Sequence, residues 1–375
     1  MVPGRLGWGM APEDPTRRRF LRAGASALMV AGIAGCTGDG SDGPTATDSP
    51  TPSPTDTVSA TPTPSPTATA SPTPTPTPTP TSPFELENEP GEYLSVVGPE
   101  GPVGRYMYVY DPSRRQETYK TYLHVIDPET GGLLTSGPTG RYDHHRGIFI
   151  GWNDFTVDGT AYDFWHFDGG GRMVHDTYEA VDAFPRTGTL TSINHWITPG
   201  EETAIEESRS MTFREPPSTI DGGIVVIDFA STLAAQGSDV ELLGDPEHAG
   251  IQYRPHNDVS ENETAEYIFP PDAFSSENPS NSEINSKEGL RWAAQTHTIR
   301  DQGYFVQHMN HPDNPEDTVY SAYRPYGRFG AFFEETVPAG ESLTVRYRFL
   351  IKRGDAPPVE TLETLYEEYA GGSEA

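Results

Sequence analysis

Cysteine occurs once in the 375 residues, at Cys36. A single thiol excludes an intramolecular disulfide. The chain after it can hold neither a cysteine-ligated metal nor a thiol nucleophile. Lysine is nearly as scarce, at Lys120, Lys287 and Lys352 only. Twenty-five basic side chains stand against 55 acidic ones, a net charge of −30. Binding nucleic acid requires a basic face that displaces counterions, so no nucleic-acid partner is expected. Long apolar runs are also missing. Residues 23–35 form a short one, and 13 residues at ~1.5 Å rise cannot cross a ~30 Å hydrocarbon core. The acidic excess suits solubility in strong brine, where salt screens self-repulsion.

What is present divides the chain into three parts. Thr16-Arg17-Arg18-Arg19-Phe20-Leu21-Arg22 resembles a twin-arginine export signal, and residues 23–35 read as its apolar region. Ile33-Ala34-Gly35-Cys36 resembles a lipobox, with Cys36 as the lipidation site. Residues 1–36 are therefore expected to be signal, and membrane contact to run only through that lipid. Residues 37–83 are rich in Thr, Pro and Ser and cannot bury apolar surface. They read as a disordered stalk holding residues 84–375 at the cell surface, facing outward.

From Phe84 onward apolar residues alternate with period two, in short runs broken by Gly, Pro, Asn and Asp. More than ten strands are expected, among them Gly147–Trp152, Ala204–Phe213, Gly222–Leu233 and Ser342–Ile351. Only the end reads as helix: Val359, Leu362, Leu365, Tyr366 and Tyr369 recur at helical spacing after Pro357-Pro358. The expected class is all-β, a large two-sheet antiparallel sandwich with a short C-terminal helix.

All eleven histidines follow Phe84. The ordered blocks are His144-His145-Arg146-Gly147, Asp163-Phe164-Trp165, Gly171–His175, Glu207-Ser208-Arg209, Gly244–Gly250, His311–Pro315, Arg324–Gly327 and Leu343–Arg348. Their order resembles the PmoA-like family, whose label reads methane oxygenase. Where many relatives carry Lys before the glutamate of the fifth block, this chain has Pro246. The label implies membrane-embedded copper chemistry, which needs several apolar spans of ~20 residues that this chain lacks. The resemblance instead implies a galactose-mutarotase type of β-supersandwich, a fold used by sugar epimerases, glycoside hydrolases and polysaccharide lyases.

A sugar site needs flat aromatic faces, planar polar groups and a proton donor–acceptor pair. Trp152, Trp165, Tyr323 and Tyr326 are expected to stack. Arg146, Asn153, Asp154, His311, Asn314 and Arg324 are expected to grip hydroxyls or a carboxylate. His145 or His175 is expected as the acid and Glu247 as the base. In a strand His144 and His145 would point to opposite faces, so only one would enter a given site. No cofactor is required. If a divalent metal takes part, His145, His175, Glu247 and His311 are suitable ligands. Three functions follow: an epimerase, lyase or hydrolase acting on a sugar or uronate, a non-catalytic glycan-binding module, or a metal-dependent oxidoreductase as the label suggests. The expected partner is a sugar or polysaccharide.

Overall fold

Residues 83–140 and 142–372 are described by a computed structural model of the chain. The export signal, Cys36 and the stalk up to residue 82 lie outside the described residues.

The expected all-β architecture is present. One eight-stranded sheet runs in spatial order Glu85–Glu89, Tyr93–Gly98, Gly101–Met107, Tyr122–Val125, Ile148–Trp152, Ala249–Tyr253, Arg328–Phe332, Val319–Tyr323. A second runs Glu266–Ile268, Trp292–Ile299, Gln302–Asn310, Ser342–Arg353, Gly223–Ala235, Thr203–Arg214, Thr187–Ile197, Arg172–Ala183. A four-stranded sheet contains Glu335–Val337, Val240–Leu243, Asp154–Val157 and Thr160–Tyr162. All pairings are antiparallel, and the C-terminal helix spans Val359–Gly371. Its residues Leu362, Tyr366 and Tyr369 cover Trp292, Phe305 and Leu350 on the outer face of the second sheet. Among the described residues no helix is long and apolar enough to cross a membrane.

Alternation assigns the faces. In the first sheet Ile251 pairs with Ile150 and Ala331, and all three enter the main core with Ile227 and Phe229 of the second sheet. Their neighbours Gln252 and Phe149 pair on the opposite face. That outer face also receives Arg254, two residues beyond Gln252. A separate small cluster of Tyr122, Phe149 and Trp165 covers it. The first sheet thus has an apolar side against its partner and a polar-aromatic side under the loops.

An ion pair lies inside the sandwich. Arg209 Nε and Nη2 donate to Glu207 Oε1 and Oε2, each at 2.8 Å, with both side chains fully buried. Trp196 Nε1 and Ser231 Oγ also donate to this carboxylate, at 2.9 and 2.8 Å.

His297 and His308 are core residues whose ring nitrogens have no hydrogen-bond partner. His308 stacks on Phe349 with centroids 4.3 Å apart. Burial lowers both from 6.5 to about 3. Between those values the unfolded chain binds protons that the native chain refuses. The stability these rings contribute is complete above pH 6.5 and is lost as pH falls toward 3, by about 1.4 kcal/mol per pH unit for each ring. Chemical unfolding at pH 7, 6 and 5 should show this fall. A His297→Phe, His308→Phe chain should show a shallower one, and equal slopes in the two proteins would overturn the assignment.

Candidate functional site

Three loops over the outer face of the first sheet each deliver one histidine to a common point. His144 lies in the turn before Ile148–Trp152. His166 lies in the bend after Thr160–Tyr162. His248 lies in the turn before Ala249–Tyr253. One potential ligand atom from each lies within 4.8 Å of the others, the one such His/Cys/Asp/Glu group among the described residues. The rings are 4.6 Å apart for His144–His166 and 4.9 Å for His166–His248. All three side chains are half-buried, so one side of the group meets solvent.

The local chain aims two of these rings in the same way. Asp163 Oδ1 accepts from the backbone N–H of Trp165 and of His166, at 2.6 and 2.7 Å. Its Oδ2 accepts from His166 Nδ1 at 2.9 Å. Asp245 Oδ1 accepts from the Glu247 backbone N–H at 2.8 Å and from His248 Nδ1 at 3.0 Å. Asn153 Nδ2 donates to Asp245 Oδ2 at 3.0 Å. Each unit is Asp-x-x-His closed by an Asx turn. A carboxylate on Nδ1 fixes the tautomer and leaves the Nε2 lone pair facing outward, the support that metal-ligating histidines use. Burial tends to raise Asp245, but His248 and the Glu247 N–H outweigh it and hold the carboxyl below its usual range.

The close approaches explain two glycines. Gly147 and Gly250 both have positive φ, and a Cβ would strike the Leu123 carbonyl at the first and the Ala331 carbonyl at the second. Each follows shortly after a cluster histidine and lets its loop drop onto the sheet.

Burial first, then Lys120, His166, Arg254 and His248, lower His144 to about 2. Burial, then Arg254 and His144, push His145 well below the ordinary imidazole value. Both rings are therefore neutral at pH 7, with a lone pair to offer. Three imidazoles with an open side can hold Zn²⁺ or a similar divalent ion and leave a position for water or substrate. Such an ion would supply Lewis acidity and a water of lowered pKa. Zinc–imidazole bonds of ~2.0–2.1 Å place ligand nitrogens roughly 3.4 Å apart, so a small inward closure of the rings is required.

Beneath the cluster lies a group of buried cations. Lys120 Nζ donates to the Trp165 carbonyl at 2.9 Å and sits 3.6 Å from the Phe149 ring centre. The Arg254 guanidinium lies 5.5 Å from the Trp165 ring centre. Arg328 Nη1 donates to the Glu247 carbonyl at 2.7 Å.

The expected site residues are dispersed by the fold. His144 and His145 both enter this region, their rings 4.4 Å apart, because they occupy a turn and strand alternation does not apply to them. His145 packs against Tyr142 and Tyr326, at 4.8 and 5.5 Å. As a neutral ring it is a proton acceptor at pH 7, the reverse of the expected acid. Glu247 stands next to His248, with Oε2 3.6 Å from Arg328 Nη1. His175 is held elsewhere, its Nδ1 2.8 Å from Ser192 Oγ and its ring among Tyr106, Tyr108 and Tyr178.

Trp152 is no stacking platform. It is fully buried between the sheets against Trp196 and Phe333. Trp165 is also fully buried, its faces taken by Phe149 and Arg254. Arg146 cannot grip a ligand, because its guanidinium is buried and donates to the carbonyls of Asp143, Gln116 and Glu117. Asn153 acts through Asp245, and Asp154 begins a strand of the small sheet. Asn314 closes a turn onto the Arg346 backbone. His311 packs on Tyr369 of the C-terminal helix. Arg324 donates to the Pro279 carbonyl. Tyr326 remains in the region, with Tyr323 4.4 Å away. The sequence reading missed His144, His166, His248, Lys120 and Arg254. The repeated Asp-x-x-His at 163–166 and 245–248 is the signal that would have found two of them.

Fold and site together define an all-β sandwich with a three-histidine centre on the outer face of one sheet. The chain belongs to the family of unknown function DUF6807, whose model matches residues 95–367. That description assigns no reaction and carries no methane-oxygenase label. No curated protein matches the chain. Among solved structures it is similar to a heparan sulfate lyase HepC mutant from Pedobacter heparinus, at 10% identity and TM-score 0.32, covering 74% of this chain and 36% of that one. It is similar to the α-galactosidase AgaA from Geobacillus stearothermophilus in complex with raffinose, at 12% and 0.32, covering 72% and 39%. A GalM/aldose epimerase homologue from C. elegans shows 8% and 0.31, covering 72% and 99%. The chain thus spans little more than a third of the lyase and the galactosidase. Likenesses this slight carry nothing about reaction or substrate.

Removing the carboxylate behind one ligand tests how the rings are aimed. Asp245→Asn should weaken metal affinity by about 10–100-fold while the fold persists. Titration against a chromogenic chelator measures this, and unchanged affinity would mean that Asp245 only closes its turn.

Proposed function

We propose that this protein is a divalent-metal-dependent enzyme acting on a sugar-type substrate. His144, His166 and His248 hold the metal, and His145 accepts a proton beside it. The observation that carries this reading is the convergence of three neutral or carboxylate-backed histidines from three separate loops. Tyr142 and Tyr326, half-buried beside His145, supply ring faces against which a sugar can pack. In this reading Cys36 carries the lipid and the enzyme stands outside the cell on its stalk.

The direct test is metal analysis of protein purified in molar salt without added chelator. One ion per chain supports the reading, and a chain that remains metal-free after incubation with Zn²⁺, Mn²⁺, Fe²⁺ and Cu²⁺ overturns it. A reducing-end and ultraviolet-absorbance screen over polysaccharides and uronates then separates hydrolysis from elimination. Stoichiometric iron or copper together with oxygen consumption would favour the oxidoreductase that the methane-oxygenase label suggests.

A further inference from the structure

Among the described residues the most anomalous group is Arg254. Its side chain is 1% exposed, and Nε, Nη1 and Nη2 are all buried with no hydrogen-bond partner. Its surroundings make this worse. Arg328, also 1% exposed, leaves Nε and Nη2 unpartnered and adds a like charge nearby. Lys120 is a third buried basic group in the same neighbourhood, its charged form disfavoured by burial and by Arg146 and Arg254. The nearby acids are already engaged: Glu247 stands against Arg328, and Asp163 and Asp245 hold the histidines. An uncompensated buried charge costs several kcal/mol, whereas an arginine paired with an anion in such a site is strongly held.

Arg254 has almost no exposed surface of its own, but it borders a cavity of about 10 Å³, room for a water or the head of a carboxylate. It lines a small pocket with His145, Tyr142, Tyr326, Ser136 and Asn257. A guanidinium is a flat fork of donors that matches a carboxylate through two parallel hydrogen bonds. The pocket places that fork beside His145, whose ring adjoins His144 of the metal centre.

We infer that Arg254, with Arg328 behind it, is a carboxylate-binding subsite, and that the substrate is a sugar acid anchored there by its carboxylate. This deepens the proposed function, since it names a substrate class for the same site. The −30 surface repels anions at long range, but molar salt screens that field within a few ångströms, and the buried cations act only on contact.

The test is calorimetric titration of the full chain with D-glucuronate, D-galacturonate, D-glucose and inorganic phosphate in one molar-salt buffer. At least one uronate should bind roughly tenfold or more tighter than glucose and than phosphate. Arg254→Met should abolish that preference without lowering the ligand-free melting temperature, because it removes an uncompensated buried charge. Arg254→Lys keeps the charge without the fork and should weaken uronate binding about tenfold, which keeps the test open if the methionine variant does not fold. No uronate preference in the wild type, a preference for phosphate, or an unchanged preference in both variants would each overturn the subsite. Metal content is measured on the same samples. A uronate preference in protein that stays metal-free after incubation with divalent ions would refute the metal centre while leaving the subsite standing.

Discussion

Replacing His248 with alanine is expected to remove the bound metal and to lower turnover by roughly 10³-fold or more, about 4 kcal/mol of transition-state stabilisation. A three-ligand site reduced to two imidazoles binds a divalent ion weakly and leaves too many positions to water. His144→Ala and His166→Ala should behave alike, since each supplies one of the three ligands. The contrasting variant is His175→Ala. That ring sits among Tyr106, Tyr108 and Tyr178 and should retain full metal and turnover. Metal stoichiometry and kcat on the best substrate from the screen decide the matter together. Full metal and normal turnover in the three cluster variants would overturn the centre. Loss of turnover with metal retained would reassign the histidines to proton transfer.

The second large effect concerns stability. Glu207→Ala should destabilise the domain by about 3–5 kcal/mol, because it leaves the Arg209 charge in the middle of the sandwich with only neutral partners such as Thr121 and Tyr106. The Trp196 and Ser231 donors lose their acceptor at the same time. Replacing both members, Glu207→Met with Arg209→Met, should cost far less than the single change, since no charge is stranded. Guanidinium unfolding of the three variants measures this. If the double variant is as unstable as the single one, the pair is needed for more than its own neutralisation.

Much of the architecture was legible from the chain. Period-two alternation exposed most long strands, and Leu362, Tyr366 and Tyr369 marked the buried stripe of the C-terminal helix. The site was less legible, and Trp152 shows why. A tryptophan beside Asn153 and Asp154 has the composition of a binding loop. Yet it ends a strand, and its side chain falls on the side facing the second sheet. Arg146 misled in the same way: a cation between a histidine pair and a glycine suggests a ligand contact, but the short helix Arg115–Thr118 supplies carbonyls that consume its donors. His144-His145 was misjudged because strand alternation was assumed where the chain turns.

By itself the sequence determined whatever depends on neighbours along the chain. It set the alternation that makes strands, the acidic surface, the single cysteine and the Asp-x-x-His turns that orient His166 and His248. The tertiary structure decided which side of each strand is core and which histidines meet. Alternation specifies two faces without labelling them, and the label comes only when a second sheet covers one. The meeting of His144, His166 and His248 depends on strand pairing between distant segments, where Ile148–Trp152 lies beside Ala249–Tyr253 and brings two turns to one end of the sheet. Arg254 shows the same division. Its composition was in plain view, but only burial turned an ordinary arginine into an unpaired charge that calls for an anion.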